Sequence, residues 1–235
     1  MTITYAIGDI HGRADLLIEM VQRIDSHAAG ENYEIIFLGD LIDRGPESRK
    51  AMEVVLDVLK EVPGSKLILG NHEELFLTAL AAKGDDRLKR LQHWSGPKVG
   101  GLATLASYGF QPDDSVDCIV ELMESQFARH LAAMRNAENM VIRGDCVFVH
   151  AGILPGIPLG DQNERDLRWI RDEFLDCREP HEKFVVHGHT PTEDGKPDRR
   201  PNRLNIDTGA YVSGILTAVA VPPEGGDLEI LTTVP

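Results

Sequence analysis

The sequence is poor in cysteine, in positive charge and in long apolar runs, and each shortage narrows what the chain can be. Three cysteines, Cys118, Cys146 and Cys177, are odd in number, widely spaced and without a CxxC pair. That argues against a disulfide framework or a thiolate metal site, and reduced thiols of a cytoplasmic protein are expected. No window approaches the run of about 18 apolar residues that a membrane span needs. The amino terminus, Met-Thr-Ile-Thr-Tyr-Ala-Ile-Gly-Asp, has neither a basic stretch nor a small-residue cleavage site. It reads as a first β-strand rather than a signal peptide. Lys and Arg number 24 against 38 Asp and Glu, a formal net charge of −14. Such a surface repels nucleic acid and anionic lipid, so neither is an expected partner. An acidic chain that handles phosphate needs bound cations or well-placed arginines.

What is present is the balance of a folded globule. Hydrophobic residues make up 42% and charged residues 26% of 235 positions, which excludes wholesale disorder. A chain of this length buries enough surface to fold without disulfides or metal, and we expect one α/β domain over residues 1–235. Five short apolar runs end alike: Tyr5-Ala-Ile leads to Gly8-Asp9, Ile35-Ile-Phe-Leu to Gly39-Asp40, and Lys66-Leu-Ile-Leu to Gly70-Asn71. Cys146-Val-Phe-Val leads to His150, and Phe184-Val-Val to His187-Gly-His189. Such runs are what strands buried on both faces look like. Helical periodicity lies between them, in Ala14–Asp25 and in Ser48–Glu61, the latter stopping before Pro63-Gly64. Alternating strand and helix predicts a largely parallel sheet.

The stretch 73–137 breaks the alternation and reads as a helical insertion, interrupted at Trp94-Ser-Gly-Pro and Tyr108-Gly-Phe-Gln-Pro. Thr192–Asn202 reads as a polar surface loop. Leu204–Asp207, Ile215–Val221 and Leu228–Thr233 read as strands, the last two a hairpin through Pro222-Pro-Glu-Gly-Gly-Asp.

In open α/β sheets ligands sit at the carboxyl ends of the strands. The polar residues standing there are Asp9, His11, Asp40, Asn71, His72, His150, His187 and His189. One His or Asp at a strand end is ordinarily a turn former or a helix cap. Five strand ends carrying carboxylate, carboxamide or imidazole groups instead suggest metal ligands, since isolated buried charges are costly and cations would neutralise them.

With these residues in view, Gly8-Asp9-Ile10-His11-Gly12, Gly39-Asp40-Leu41-Ile42-Asp43-Arg44-Gly45, Gly70-Asn71-His72-Glu73, His150-Ala151-Gly152 and His187-Gly188-His189 resemble the motif blocks of the phosphoprotein phosphatase family of metallophosphoesterases. Trp169-Ile-Arg171 and Asp207-Thr-Gly-Ala are similar to its bacterial and phage branch. The resemblance implies a four-layer α/β sandwich, two central mixed sheets flanked by helices, with the site at the strand ends. It implies two divalent cations: Asp9, His11 and Asp40 on the first, and Asp40, Asn71, His150 and His187 on the second. Hard O and N donors suit Mn²⁺, or an Fe/Zn pair.

The implied reaction is phosphate ester hydrolysis by a metal-bridging hydroxide, without a phosphoenzyme. His72 is assigned as general acid and Asp43 as its orienting partner; the bland alternative is that Asp43 only caps the helix near Ser48. Arg44 and Arg171 are candidate clamps for phosphoryl oxygens, with Arg168 as competitor for the second place. His189 is expected to support a neighbouring ligand, and Glu73 is either a supporting acceptor or a first-turn helix acid. The sequence His72-Glu-Glu-Leu-Phe76 is not a zinc-protease motif.

His27, His93, His130 and His181 are expected on the surface or in helices, and the run Asp85-Asp-Arg-Leu-Lys-Arg on a solvated helix face. Trp94, Gly100-Gly101 and Thr104 either line the substrate groove or serve the core. The leading expectation is a serine/threonine protein phosphatase acting on phosphorylated protein or a small phosphoester. The alternatives are a symmetrical dinucleoside tetraphosphate hydrolase, an inactive phosphate-binding module, and an enzyme of nucleic-acid phosphate chemistry.

Overall fold

β-Branched and aliphatic runs too short for a stable helix form the strands of this protein, and the longer amphipathic stretches form its helices. A computed structural model describes residues 2–111, 114–223 and 225–233. The chain opens with β1 (Ile3–Ile7), α1 (Ala14–Ala28), β2 (Tyr33–Phe37), α2 (Ser48–Glu61) and β3 (Lys66–Leu67). Five helices follow without a strand between them: α3 (Asn71–Ala81), α4 (Gly84–Ser95), α5 (Gly101–Ser107), α6 (Val116–Gln126) and α7 (Ala128–Arg135). Next come β4 (Met140–Arg143), β5 (Cys146–Val149), α8 (Glu164–Trp169), α9 (Asp172–Leu175) and β6 (Phe184–His187). The chain ends with β7 (Asp198–Arg199), β8 (Arg203–Asn205), α10 (Ala210–Ser213), β9 (Thr217–Val221) and β10 (Glu229–Thr232).

The strands form two mixed five-stranded sheets, in the orders β10-β9-β1-β2-β3 and β4-β5-β6-β8-β7. In the first, β1, β2 and β3 run parallel while β9 and β10 are antiparallel neighbours. In the second, β5, β6 and β8 run parallel and β4 and β7 are antiparallel edges. Side chains alternate between the faces of a strand, and in the central strands both faces are buried. Ala6, Ile36, Leu38 and Ile68 of the first sheet meet Phe148, Val186 and Leu204 of the second in a core between the sheets. Tyr5, Ile7, Ile35 and Phe37 point the other way, onto Leu17, Met52, Phe76 and Trp94 of the helices. Val147, Val149 and Val185 pack outward against Leu167, Ile170 and Phe174. The layers are therefore helix, sheet, sheet, helix.

Several expectations change in detail. The five motif-bearing strands do not lie side by side in one sheet: β1, β2 and β3 belong to one, β5 and β6 to the other. Their polar ends meet because the two sheets stack. The stretch 192–202 is not wholly a loop, since β7 pairs antiparallel with β8. β4 is also a strand, an edge pairing with β5. The carboxy-terminal hairpin forms as expected, although Glu224 in its turn lies outside the described residues, as does Pro112 of the Tyr108 segment. α4 exposes most of its polar run. His130 lies in α7 but is fully buried, its Nδ1 bonded to the Tyr108 hydroxyl at 2.7 Å. Among the described residues no helix is long and apolar enough to cross a membrane.

The inter-sheet core makes one clear demand on stability. Phe148→Ala should leave a cavity between the sheets and lower the unfolding free energy by about 3–5 kcal/mol, read from the shift of a urea denaturation curve. A loss below about 1 kcal/mol would mean that the two sheets are not packed on this residue.

Candidate functional site

The loops that follow β1 and β2 lock together through backbone bonds. Ile10 N and His11 N donate to Asp40 O at 3.1 and 2.8 Å, Gly12 N donates to Leu41 O at 2.8 Å, and Gly45 N donates to His11 O at 3.0 Å. The contact is so close that a Cβ at position 45 would fall 2.2 Å from His11 O. His11, Asp40, Asp43, Arg44 and His189 all adopt left-handed backbone, with φ of 45°, 48°, 74°, 68° and 69°. Non-glycine residues adopt this region seldom, and they do so where surrounding contacts over-determine the chain.

Glu73 supplies much of that constraint. Its carboxylate accepts the amides of Asp40, Leu41 and Ile42 at 2.9, 2.8 and 3.2 Å. Burial, and then the neighbouring Asp40, push the Glu73 carboxyl upward. Glu73 is therefore a structural acceptor beneath the site rather than only a first-turn acid.

Asp40 is the hub. Its Oδ2 lies 3.5 Å from His11 Nε2 and 3.7 Å from His72 Nε2, and its Oδ1 lies 3.4 Å from His150 Nε2. Burial pushes the Asp40 carboxyl up, while positive charge on the surrounding His150, His72 and His11 rings would draw it well below the usual range. Its donors form two potential metal-holding groups that share this carboxylate: His11, Asp40 and His72, and Asp40, His150 and His189.

The tautomers decide what these contacts mean. His11 Nδ1 donates to Ile42 O at 2.9 Å and His150 Nδ1 to Leu38 O at 2.8 Å. Burial lowers the pKa of both rings, so each Nε2 keeps its lone pair. Lone pairs facing a carboxylate at 3.4–3.5 Å repel unless a cation lies between them. Nearby, His189 Nε2 and Asp207 Oδ2 are buried without a hydrogen-bond partner among the described residues. Burial pushes the Asp207 carboxyl up to about 6; burial, Asp207 and Asp40 drive the Asp9 carboxyl well up. The donor set therefore fits divalent cations.

The remaining candidates separate by placement. Asp9 accepts the His189 amide at 3.1 Å on each oxygen. Asn71 Oδ1 lies 2.9 Å from His150 Nε2 and 2.7 Å from His189 Nδ1. The expected ligand His187 is not brought to this cluster. Its Nδ1 bonds Gly188 O at 3.1 Å, its Nε2 faces Arg203 Nη1 at 3.4 Å, and its ring packs edge-on against Phe174. The turn after β6 explains the correction: alternation alone would put residues 187 and 189 on one face, but the strand ends at His187 and His189, in left-handed backbone, is the ring turned toward Asn71 and His150.

His72 Nδ1 meets Asp43 Oδ2 at 2.7 Å. Asp43 does not cap α2, because Ser48 Oγ accepts the Asp43 amide while the Asp43 carboxylate points inward. Burial lowers the His72 pKa, but Asp40 and the Asp43 hydrogen bond more than offset it, and the imidazole titrates above its ordinary value. Arg44 Nη2 lies 3.2 Å from His72 Nε2, and the guanidinium lies 4.6 Å over the Tyr211 ring. Sequence reasoning did not single out Tyr211, which stands on a short helix with no motif of its own.

The two rival arginines are equally clear. Arg168 is buried and bound to Glu74, Glu164 and Asn139, and Trp169 Nε1 donates to Glu74 as well. Arg171 is exposed, its guanidinium bonds only Thr190, at 3.4 Å, among the described residues, and it acts electrostatically on His189 and Asp207. Arg168 is thus committed to structure, and Arg171 is the less engaged of the two.

Comparison with known proteins gives the family of the chain. Residues 4–214 match the calcineurin-like phosphoesterase family. The chain is 28% identical over 246 residues to the asymmetrical bis(5'-nucleosyl)-tetraphosphatase PrpE of Oceanobacillus iheyensis, covering 92% of this chain and 87% of that protein. It is 29% identical over 162 residues to a zinc-dependent endopolyphosphatase of Saccharomyces cerevisiae, where the match spans 64% of this chain and about half, 47%, of the yeast protein. Its fold is shared with a solved structure provisionally assigned as a diadenosine tetraphosphatase, at TM-score 0.64 and 18% identity over 98% of this chain and 93% of that one. A protein serine/threonine phosphatase from Saccharomyces cerevisiae matches at TM-score 0.56 and 13% identity, over 98% and 79% of the two chains.

Replacing the anchor beneath the hub should be costly. Glu73→Gln offers one acceptor oxygen where three amides converge and turns an NH₂ toward them, so a thermal unfolding scan should report a loss of about 1–3 kcal/mol. An unchanged melting temperature would show that those amides have other partners.

Proposed function

The chain belongs to the calcineurin-like phosphoesterase family, and on that premise we propose that it hydrolyses phosphoric esters and anhydrides with two divalent cations. Asp9, His11, Asp40, Asn71, His150 and His189 would hold them, with Asp40 common to both. The observation that carries this reading is the confrontation of the His11 and His150 lone pairs with the Asp40 carboxylate. Once bound, such cations would supply charge neutralisation at the phosphoryl oxygens and acidify water.

The chain's own residues do the rest. Arg44 and Arg171 bind and orient the phosphoryl group, Arg44 leaving His72 as it turns to phosphate oxygens. The P–O bond to the leaving group breaks, water supplies the new oxygen on phosphorus, and His72 Nε2 gives a proton to the departing oxygen. Asp43 fixes the tautomer by holding Nδ1. Asp43 and Asp40 favour the charged ring, so it is available as an acid near neutral pH.

Two substrate classes follow. A bis(5'-nucleosyl) tetraphosphate comes first, because relatives bearing that activity in their names align over 92% of this chain. A phosphoserine or phosphothreonine ester is the second, and the His72–Asp43 pair favours it: an alkoxide needs protonation far more than a departing phosphate does. Assays with diadenosine tetraphosphate, a phosphopeptide and p-nitrophenyl phosphate, each with Mn²⁺ or Zn²⁺ titrated in, separate the readings. Turnover of the dinucleotide alone would retire the protein phosphatase, turnover of the phosphopeptide alone would retire the tetraphosphatase, and no turnover at all would leave a binding module.

Asp40→Asn should cut kcat by at least about 10³-fold at saturating metal, since it weakens both cation sites together. Near-normal turnover would refute the shared role of Asp40.

A further inference from the structure

The helical stretch after β3 reaches into the site in a way that neither the motif blocks nor the proposed mechanism uses. Trp94, in the last turn of α4, is fully buried, and its Nε1–H donates to Asp43 Oδ2 at 2.9 Å. Thr104, in α5, is fully buried too, and its hydroxyl donates to Asp43 Oδ1 at 2.7 Å. The same Thr104 Oγ1 accepts the Asp43 amide at 2.8 Å and lies 3.0 Å from Ser48 Oγ. The carboxylate that holds His72 is thus itself gripped on both oxygens from a separate part of the chain.

The indole is placed for this contact rather than merely accommodated. Its ring stacks on Phe76 with centroids 4.4 Å apart and planes 23° from parallel. Gly101 makes room on the other side: a Cβ there would fall 2.5 Å from Trp94 Cε2. Gly100, with φ +92°, lies against Arg44, where a Cβ would fall 2.9 Å from the Arg44 N, and its carbonyl accepts that amide at 3.2 Å. A buried indole N–H requires an acceptor, and the one it meets here is the carboxylate that holds His72.

We propose that Trp94 and Thr104 are positioning residues, which fix the Asp43 carboxylate so that His72 Nε2 is aimed at the leaving oxygen. The inference rests on the reading of His72 as proton donor. Without the two donors Asp43 can rotate about χ2, the Nδ1 bond loosens, and protonation falls out of step with P–O cleavage. Binding of the phosphoryl group, which depends on other residues, is left in place.

The test uses the full-length, metal-loaded protein with Trp94→Phe, which keeps the stack on Phe76, and Thr104→Val, with Thr104→Ser as the conservative control. In both Trp94→Phe and Thr104→Val, kcat for phenyl phosphate should fall about ten-fold or more, while p-nitrophenyl phosphate, whose leaving group needs little protonation, changes about two-fold or less. KM should hold, and Thr104→Ser should recover the wild-type ratio. Equal losses on both esters, or none, would overturn the proposal.

His72→Asn separates this inference from its premise. If His72→Asn lost both esters equally, the proton-donor reading itself would fail; if it lost phenyl phosphate selectively and Trp94→Phe did not, only the positioning role would fail. A readout independent of turnover is the proton NMR signal of His72 Nδ1–H, identified by its absence in His72→Asn. Its exchange with solvent should be about ten-fold faster in Trp94→Phe, and an unchanged rate would count against the grip.

Discussion

One buried carboxylate organises this protein. Asp40 stands in left-handed backbone at the end of β2, facing imidazoles whose lone pairs are fixed toward it by carbonyls behind them. A carboxylate and several neutral histidines brought together in this way are mutually unfavourable, and that tension makes the site a receptor for cations rather than a stable end in itself. The interlocked loops, the Glu73 clamp and the positive φ values are the structural means by which the chain tolerates it.

The stacked sheets determine which residues can join. β1, β2 and β3 deliver Asp9, His11, Asp40 and Asn71 from one sheet, while β5 and β6 deliver His150 and His189 from the other. Neither sheet alone holds the constellation. The hydrophobic layer between them, with Phe148 and Leu38 among its members, therefore sets the distance between the two halves of the site as well as stabilising the fold.

Much of this was legible beforehand, because each donor follows directly on an apolar run and strand ends are where such sheets place ligands. Asp40, the His72–Asp43 pair and Arg44, all read from short motifs, lie in contact with one another. The pairing of strands into two sheets could be named only through the family resemblance, since β-runs buried on both faces read alike whichever sheet they join. His187 was misjudged for a local reason: two histidines separated by one glycine offer no sequence signal as to which ring turns inward. Trp94 and Thr104 escaped assignment because their partner lies 51 and 61 residues away. Arg171 is preferred to Arg168 in the sequence only through the family resemblance, because the acidic partners of Arg168, Glu74 and Glu164, meet it only in space.

The first turn of α3 carries a consequence of its own. Asn71, His72, Glu73 and Glu74 are successive residues, yet each serves a different neighbourhood: the imidazoles of the second sheet, Asp43, the amides of 40–42, and the Arg168–Trp169 pair. The helix end works like a camshaft, in which one rotation displaces every follower at once. Substitutions along it should compound rather than add, and the segment is free to diverge only as a block.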